Sequence, residues 1–534
     1  MKPLEKERIK EILGDIPLSA ELYWVLRRPV HGLQTRYRLD ELEKRLPAMV
    51  EQAAAVAPLK PTERKVVIFT MLHRWVMHTT LLGVTLAGLG FDVHQAYLPH
   101  GEWDKTINRF DLRRQDLYTR QVLLPTERIM KNDSLLQVKP APLPLPAEVM
   151  QAVQQVTDFD TQYTLQVEKS DPTTPIYKIR YQRNLAAATQ MLPYLQTIRP
   201  DTVIIPNGTI LEFGVVYKVA RFLGINVVTY EFDEQRDRTW LAQNAETMRQ
   251  DTEDLWQARK DLPFTPEQFA RIKAQYQARQ QGVKWENFER LWQGAPSLGG
   301  EKIRAQVGLD NRPVVLLATN VLGDSVTLGR QVFSQSMSEW IQQTVLYFAG
   351  RPDVQLVVRV HPGEQLTYGP SMVDVIQEVL PEVPENIHVI GPREKVNSYD
   401  LVEIAAIGLA YTTTIGMEMA LNGLPVIVAG QVHYRKRGFT YDPASWAEYF
   451  QMLGKILQDP TAHRLTRSQV ERAWMYAYRF FFEFPRPYPW HFIRLWEDYD
   501  AQPMDQILNP EGRARYESTF RFLGGETLDW ANIK

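Results

Sequence analysis

The sequence predicts an α/β protein with two domains, each built around a parallel β-sheet. Two observations support this class. Short apolar runs rich in β-branched residues, typical of strands buried on both faces, alternate with helical segments in both halves of the chain. A Gly-rich stretch, GAPSLGGE, separates the two series. With 534 residues, 44% of them hydrophobic, the chain is long enough to bury two such cores.

The first half begins with an amphipathic helical leader, residues 1–60, followed by a predicted domain at 61–300. Within this domain, residues 101–200 show no regular pattern, and 232–300, rich in Gln, Arg, Glu and Trp, are expected to form a helical insertion. Two strands flank an uncharged helix and form a βαβ unit, the building block of a parallel sheet. The predicted strands of this half are 65–71, 91–98, 202–205 and 226–230.

The second half repeats the alternation in a predicted domain at 301–465, and residues 466–534 form a helical, aromatic tail. The tail contains FFFEFPRPYPW, which we expect to pack back on the N-terminal domain. Peripheral membrane association through these aromatic residues is the alternative, but an interfacial helix carries a clear Lys/Arg face. The predicted strands of this half are 313–318, 355–360, 388–390, 407–411 and 426–429.

Charge and residue usage exclude several classes of function. The 61 Lys and Arg residues nearly balance 63 Asp and Glu residues, so no nucleic-acid partner is expected. The absence of Cys excludes disulfides, thiolate metal sites and Cys nucleophiles. The first residues show no secretory signal, and the uncharged stretch 75–91 is shorter than the roughly 20 residues of a membrane-spanning helix. We therefore expect a cytoplasmic protein.

The most informative segment is residues 401–442, in which a strand ends at Tyr411 and a helix begins near Ile415 after three threonines. A helix that starts at the carboxyl end of a strand directs free N–H groups and a positive dipole outward, which suits a phosphate or diphosphate. Glu418 lies one turn into this helix, where a carboxylate can accept hydrogen bonds from a ribose diol. The alternative is a capped helix in which the dipole favours an N-terminal Glu.

Two further patterns add positive charge near this segment. Arg359 and His361 lie two residues apart at the end of a strand, so both side chains point the same way and could meet a leaving phosphate. Residues 435–437 are three consecutive cations beside Gly438, which suits a loop around an anion. A polar strand end and a solvated basic loop are the simpler interpretations.

These motifs carry a resemblance to a known family. Arg359-Val-His361-Pro362, the stretch TTTIGMEMALNGLPVIVAG and the trailing KRGFTYD resemble the donor half of the capsule polysaccharide biosynthesis glycosyltransferases, which include the bacterial capsule Kdo transferases. The stretch MLHRWVMHTTLLGVTLAGLGFDVHQAYLPHG is similar to that family's first βαβ unit. The resemblance covers most of residues 61–450. It implies a GT-B architecture, two Rossmann-like domains facing a cleft, with the nucleotide-sugar held mainly by the second.

The resemblance also implies a donor site with four parts: a contact to the phosphates or the transferring sugar, a phosphate-binding turn, a ribose ligand and a closing loop. Arg359 and His361 would contact the phosphates or the sugar, and Thr413, Thr414 and Gly416 would form the turn. Glu418 would bind the ribose, and Lys436, Gly438 and Phe439 would form the closing loop. The family usually has Ser or Asn in the turn where this chain has threonines, so the nucleotide, UDP or CMP, stays open.

The N-terminal domain is expected to supply a general base and the acceptor site. An inverting transferase needs a base for the acceptor hydroxyl, and a His with a near-neutral pKa suits this role. His78 matches the family pattern more closely than His73, although a lone His in an apolar helix is more often a core residue. Glu231, at the end of a strand, is a further candidate base. The expected acceptor-binding residues are Arg74, Asn207 and Gly208.

The predicted function is that of a metal-independent glycosyltransferase that moves a sugar from a nucleotide-sugar to a surface glycan or lipid-linked acceptor. The chain has no H-E-x-x-H motif, no Walker loop and no G-x-G-x-x-G after a strand. Two D-x-D triplets, at 158–160 and 498–500, are expected to be accidental, and no cofactor or metal is expected. The alternatives are a nucleotide-sugar epimerase, a teichoic-acid-type glycerophosphotransferase and an inactive nucleotide- or glycan-binding scaffold.

Overall fold

Contacts along the chain divide the computed structural model into two compact units. The first unit comprises Met1–Asp160, Asp171–Thr247 and Arg486–Leu528, and the second comprises Thr161–Ser170, Met248–Pro485 and Asp529–Lys534. The structure describes residues 3–31, 37–58, 62–288, 295–367 and 369–533.

Each unit contains one β-sheet. The first sheet has the order β12-β6-β5-β4-β1-β2-β3, and the second has the order β11-β10-β7-β8-β9. The strands are β1 (Lys65–Met71), β2 (Asp92–Leu98), β3 (Lys131–Ser134), β4 (Thr202–Pro206), β5 (Asn226–Phe232), β6 (Arg238–Gln243), β7 (Val314–Ala318), β8 (Gln355–Arg359), β9 (Ile387–Ile390), β10 (Ile407–Ala410), β11 (Val426–Val428) and β12 (Arg486–Pro487).

Helices surround these strands, as expected for crossover connections between parallel strands. As far as residue 281 they are α1 (Pro3–Asp15), α2 (Ser19–His31), α3 (Asp40–Val56), α4 (His73–Gly88), α5 (Arg109–Leu123), α6 (Ala147–Leu165), α7 (Pro175–Ile198), α8 (Leu211–Phe222), α9 (Glu253–Arg259) and α10 (Pro266–Gln281). The remainder are α11 (Gly300–Val307), α12 (Met337–Ala349), α13 (Met372–Gln377), α14 (Ser398–Ile404), α15 (Ile415–Leu421), α16 (Trp446–Gln458), α17 (Arg467–Tyr478), α18 (Leu495–Ala501), α19 (Met504–Leu508) and α20 (Pro510–Leu523).

The predicted α/β class, with a parallel sheet in each half, is confirmed. Strands β1 to β5 pair in parallel, and β7 to β11 do the same in the second unit. The central strands are buried along almost their whole length, which explains why continuous apolar runs mark them in the sequence. Every strand expected from such a run is present within two residues of its predicted bounds.

Three strands and three helices were not expected. Strand β3 has the polar sequence KNDS, and β12 is an antiparallel edge strand of two residues. Strand β6 pairs antiparallel with both β5 and β12 and has partly exposed residues, so none of the three forms an apolar run. β6 lies inside the segment that we expected to be a helical insertion. The segment 101–200, expected to be irregular, contains α5, α6 and α7.

The boundary between the units also differs from the expected one at residue 300. Residues from Met248 onward belong to the second unit. The reason is that α10 bonds to this unit: Asn422 Nδ2 donates to Tyr276 Oη at 2.6 Å, and Asn397 Nδ2 donates to the Gln280 carbonyl at 2.9 Å. The tail is divided in the same way, because residues 466–485 belong to the second unit and 486–528 to the first.

The aromatic segment of the tail is buried. Phe480, Phe481, Phe482 and Phe484 lie in the second unit, where Arg479–Glu483 forms a π-helical turn. In the first unit, Trp490 is fully buried, and its Nε1 donates to the Gln502 carbonyl at 2.9 Å. These aromatic side chains therefore pack inside the two units. Among the described helices, none combines the length and the hydropathy needed to cross a bilayer.

Candidate functional site

In the second unit, the carboxyl ends of three neighbouring strands, β8, β7 and β10, are joined by hydrogen bonds. The backbone N–H of His361 donates to Thr319 Oγ1 at 3.0 Å. The next residue, Asn320, accepts from both the N–H and the hydroxyl of Thr412 at 3.2 Å. The expected histidine and the threonine turn therefore lie along one sheet edge. Thr319 and Asn320 were missed, although they directly follow a predicted strand.

The turn between β10 and α15 presents unused backbone donors. In the described part of the chain, the N–H groups of Thr413, Thr414 and Ile415 have no hydrogen-bond acceptor. All three residues are partly exposed, so these N–H groups can serve an anion. Tyr434 Oη donates to the Thr413 carbonyl at 2.7 Å, and this hydrogen bond holds the turn in place.

Gly416 is required by close packing at this turn. A Cβ at this position would collide with Tyr434 Oη and would lie 2.8 Å from the Cβ of Ala410. The expected roles of Thr413, Thr414 and Gly416 in phosphate binding stay predictions, with a geometry that suits them.

Arg359 does not have the expected placement. Its side chain is buried, and its guanidinium donates to the carbonyls of Gly391 at 2.7 Å and Val396 at 3.2 Å. Burial lowers the pKa of Arg359 to about 10, and Glu394 partly offsets this shift. The residue holds the loop after β9 in place. It therefore supports the sheet edge, and this placement does not support the expected contact with a donor phosphate.

Glu418 is likewise engaged by the protein. Its side chain is 3% exposed, Tyr399 Oη donates to Oε2 at 3.0 Å, and Arg279 Nε lies 2.9 Å from Oε1. Both carboxylate oxygens thus have partners within the second unit. This placement does not support the ribose-binding role that we expected for Glu418. It supports a structural role instead, in which Glu418 connects α15 to α14 and α10.

The basic loop after β11 contains both buried and exposed cations. Arg435 is buried and donates to the carbonyls of Val428 and Pro443, while Arg437 pairs with Glu253. Lys436, between them, is exposed, and its backbone N–H donates to Asp442 Oδ2 at 2.9 Å. Lys436 is therefore the cation of this loop that a ligand can reach.

The other two residues expected to close the donor pocket differ from Lys436. Phe439 is fully buried, with its ring 5.6 Å from that of Tyr476, so it is a core residue and cannot close a pocket. Gly438 is exposed and has φ 90°, a conformation that favours glycine. A Cβ at Gly438 would lie 3.2 Å from Arg472 Nη1. The role of Gly438 stays a prediction.

In the first unit, His78 is a core residue and not the expected base. It is fully buried, and its Nδ1 lies 3.1 Å from Tyr230 Oη. The rings of Phe232 and Tyr488 lie 4.9 and 5.5 Å away. Burial lowers its pKa to about 3, so the imidazole is neutral but sealed from any acceptor hydroxyl.

His73 and Arg74 occupy the first two positions of α4, directly after β1. His73 is half-buried, its Nδ1 has no hydrogen-bond partner among the described residues, and its ring lies 6.4 Å from that of Tyr37. Burial and then the charge of Arg74 lower the pKa of His73, so it is neutral at pH 7 and can accept a proton. Arg74 is exposed, with its guanidinium 5.6 Å from the Phe492 ring.

Glu231, near the end of β5, and Asn207, directly after the neighbouring strand β4, form a pair at the same edge. Asn207 Nδ2 donates to Glu231 Oε2 at 3.2 Å, and the Phe232 N–H donates to Oε1 at 3.1 Å. Burial raises the pKa of Glu231 despite these hydrogen bonds. Asn207 and Gly208 both have positive φ, 59° and 81°, so the chain turns sharply beside the carboxylate. Their roles in acceptor binding stay predictions.

Asp233 is a candidate base that the sequence reasoning missed. It is 7% exposed, follows β5, and accepts a hydrogen bond from Gln235 Nε2 at 2.8 Å. Burial, followed by the charge of Glu234, raises its pKa to about 7. A carboxyl group with this pKa can hold or release a proton at neutral pH. Its position just past a predicted strand was the available signal.

The D-x-D triplets serve structural contacts. Asp160 is buried and ion-paired with Arg180 at 3.1 Å, while Asp498 accepts from the His491 N–H at 2.8 Å. Across the described residues, no group of three or more His, Asp and Glu side chains has a metal-binding arrangement.

No family model matches the chain, and no curated protein matches it. Solved structures do. The KpsC beta-Kdo 2,4 transferase of Thermosulfurimonas dismutans is 15% identical over 52% of this chain and 79% of that chain, with a TM-score of 0.35. The KpsC beta-Kdo 2,7 transferase of the same organism is 13% identical over 57% and 87%, with a TM-score of 0.30. These matches include the family that the sequence resembles.

Another match is the UDP-GlcNAc 2-epimerase from Neisseria meningitidis bound to UDP-GlcNAc. It is 13% identical over 79% of this chain and 99% of that chain, with a TM-score of 0.23. All three similarities concern the fold alone. The residue assignments rest on the contacts within this chain.

Proposed function

We propose that this protein is a metal-independent glycosyltransferase that uses a nucleotide-sugar donor and a glycan or lipid-linked acceptor in the cytoplasm. The observation that carries the proposal is the turn at Thr413–Ile415, whose three N–H groups lack acceptors within the described residues. Such a turn at the carboxyl end of a parallel strand suits a diphosphate. His361, at the same sheet edge, and the exposed Lys436 add a polar side chain and a cation.

The charge that develops on the phosphate of the leaving nucleotide is stabilised here by backbone N–H groups and Lys436. Donors fixed before the reaction stabilise such charge without reorganising. The candidate bases are residues of the first unit: neutral His73, with Asp233 and Glu231 as alternatives, has the chemistry to take the proton of an acceptor hydroxyl. The donor nucleotide is UDP- or CMP-linked.

A proline substitution tests the turn directly. Thr414 has φ −59°, a value that proline adopts, so Thr414→Pro removes one N–H at a position whose own φ angle suits the ring. Thr414→Ala is the matched control because it removes the hydroxyl and keeps the N–H. A charge-assisted hydrogen bond contributes about 1.5–3 kcal/mol, so Thr414→Pro should weaken nucleotide binding by roughly tenfold or more.

The measurement is a thermal-shift titration of purified protein with UDP, GDP, CMP, CDP and their sugars. A ligand at 100 times its Kd stabilises the folded state by about 2.7 kcal/mol. We expect one nucleotide to stabilise both the wild type and Thr414→Ala. In Thr414→Pro, a tenfold weaker affinity should reduce the stabilisation at the same ligand concentration to about 1.4 kcal/mol or less. An equal response in all three proteins would refute the donor assignment.

Turnover assays then separate the alternatives. Acceptor-dependent release of nucleotide indicates a glycosyltransferase, and conversion of the sugar without acceptor indicates an epimerase. Transfer of glycerol phosphate indicates a glycerophosphotransferase. Nucleotide binding without any turnover indicates a scaffold.

A further inference from the structure

The first two helices, α1 and α2, expose a group of aliphatic side chains to solvent. On these helices and in the turn between them, seven Ile, Leu and Val side chains are 45–70% exposed: Ile9, Ile12, Ile16, Leu18, Leu22, Val25 and Leu26. Each lies within four residues of the next along the chain, so together they form one N-terminal apolar surface. Single exposed apolar residues are common, whereas a continuous group of this size marks an interaction site.

The opposite side of the same two helices is attached to α5 by charged groups. Three ion pairs form this attachment: Lys10 with Asp111, Asp15 with Arg109, and Glu21 with Arg113. Gly14 permits the close approach, because a Cβ there would lie 2.9 Å from the backbone N of Phe110. A surface helix usually packs its large aliphatic side chains on the protein and exposes its charges. Here the charged groups contact the protein, and these aliphatic side chains are left for a partner.

The charges of the two helices favour a second copy of this chain over a membrane as that partner. Within α1 and α2, five Lys or Arg residues balance five Asp or Glu residues, whereas a helix that binds anionic lipid carries a basic excess. Between Ile16 and Leu26 the sequence has one charged residue, Glu21, which pairs with Arg113. An apolar centre depleted of charge is typical of interfaces between identical chains.

Two exposed charges of opposite sign border the aliphatic side chains of α1. Arg8 and Glu11 lie next to Ile9 and Ile12, and neither has an ion-pair partner in the part of the chain that the structure describes. In a two-fold interface every contact between unlike residues forms twice, so an Arg8–Glu11 contact between two copies would use both charges of each copy. The border of the surface is therefore complementary to itself.

We propose that two copies of this chain form a two-fold symmetric dimer through the N-terminal apolar surface. Seven aliphatic side chains from each copy then share one core, as the helices of a four-helix bundle bury their apolar faces against one another. Interfaces of permanent homodimers resemble a domain core cut in half. The association requires neither a nucleotide nor an acceptor, so it does not rest on the proposed function.

The test is sedimentation velocity of the full chain at about 0.1–50 µM, a range that covers the Kd of a weak specific interface. Leu22→Glu places a carboxylate in the apolar surface at a position that is 62% exposed and keeps a helix-forming residue there. Leu366→Glu is the matched control, because Leu366 is 77% exposed and belongs to the second unit. Ile12→Glu, on α1, tests the surface independently and serves if Leu22→Glu fails to fold.

We expect the wild type and Leu366→Glu to sediment with twice the mass of one chain at the upper concentrations. Leu22→Glu and Ile12→Glu should each raise the Kd of the dimer at least tenfold, because a carboxylate buried in the interface lacks a partner. A wild type that stays monomeric throughout the range would overturn the proposal, as would a dimer whose Kd neither variant changes.

Vesicles of phosphatidylcholine and phosphatidylglycerol test the membrane as the other occupant. We expect the dimeric wild type to stay in solution when such vesicles are pelleted, because the apolar surface is already covered. A monomeric wild type that pellets with the vesicles, and a Leu22→Glu variant that does not, would assign the surface to lipid and overturn the dimer. The thermal-shift response to nucleotides is measured separately, so failure here leaves the donor assignment intact.

Discussion

Replacing Arg180 tests whether the buried ion network supports the first unit. Arg180 is fully buried, with its Nε 3.1 Å from Asp160 Oδ2 and its Nη2 2.7 Å from Glu212 Oε2. His100 Nδ1 lies 3.3 Å from the other Glu212 oxygen. Arg180→Met removes the cation between two buried carboxylates. Breaking a buried pair in this way costs about 3–5 kcal/mol.

The pH dependence gives this prediction a sign. In the wild type, the charge of Arg180 holds the pKa of Glu212 well below its usual range although burial opposes it, so this stability is lost as the pH falls through that low pKa. Without Arg180, burial raises the pKa of the carboxyl groups above their unfolded values. Their protonated forms then favour folding, and stability falls as the pH rises. Arg180→Met is therefore expected to be more stable at pH 4.5 than at pH 7.5.

Thermal unfolding followed by circular dichroism measures both effects. At about 2–4 °C per kcal/mol, the loss corresponds to a decrease of roughly 6–20 °C in the melting temperature of the first unit at pH 7.5. Arg513→Met is the matched control, because its pair with Glu517 lies on the surface and contributes under about 1 kcal/mol. The reasoning is refuted if Arg180→Met loses no more stability than Arg513→Met, or if acid does not restore part of the loss.

Two other substitutions follow from the site geometry. His73→Ala should lower acceptor-dependent turnover by about 10²–10⁴-fold. His78→Phe should change turnover by no more than a few-fold relative to the wild type, since His78 is buried in the core. A larger loss of turnover in His78→Phe than in His73→Ala would contradict the placement of the base. Gly416→Ala should force the turn away from Tyr434, lower the stability by about 1–3 kcal/mol and weaken nucleotide binding. Adding Tyr434→Phe, which removes the hydroxyl that the new Cβ would meet, should partly restore nucleotide binding. Nucleotide titration of the two single variants and the double variant checks this, and additive losses of affinity would count against a contact between the two positions.

Apolar continuity made the central strands predictable. Val66–Met71 and Val314–Ala318 are buried on both faces, so hydrophobicity alone marks them and their carboxyl ends. The same logic led to His361, Thr413 and Asn207, which follow strands. It could not reveal β3, a polar edge strand, or β6, in which partly exposed residues interrupt the buried ones, since neither strand forms an apolar run.

The side-chain roles were less predictable. A sequence pattern places a residue near the carboxyl edge of a sheet, but it does not show whether the side chain is already bonded to other residues of the protein. Arg359, Arg435 and Glu418 each have a charge that would suit a nucleotide. In the structure, both guanidinium groups donate hydrogen bonds to backbone carbonyls, and the carboxylate pairs with Arg279 and accepts a hydrogen bond from Tyr399. A buried charge needs such partners, and no residue pattern marks them: every residue has a backbone carbonyl group, and Arg279 lies far from Glu418 in the chain.

Whether a side chain is already bonded within the protein also decides which residues of the site should be mutated first. A variant of Arg359 or Glu418 leaves its partners unpaired in the core, so it loses activity through stability whether or not the side chain contacts a ligand. Lys436 and the N–H of Thr414 belong to partly or fully exposed residues, and changing them leaves no buried group without a partner. Loss of nucleotide binding in these two variants, with melting temperature unchanged, therefore reports on the donor site itself, which the more conspicuous charged residues cannot do.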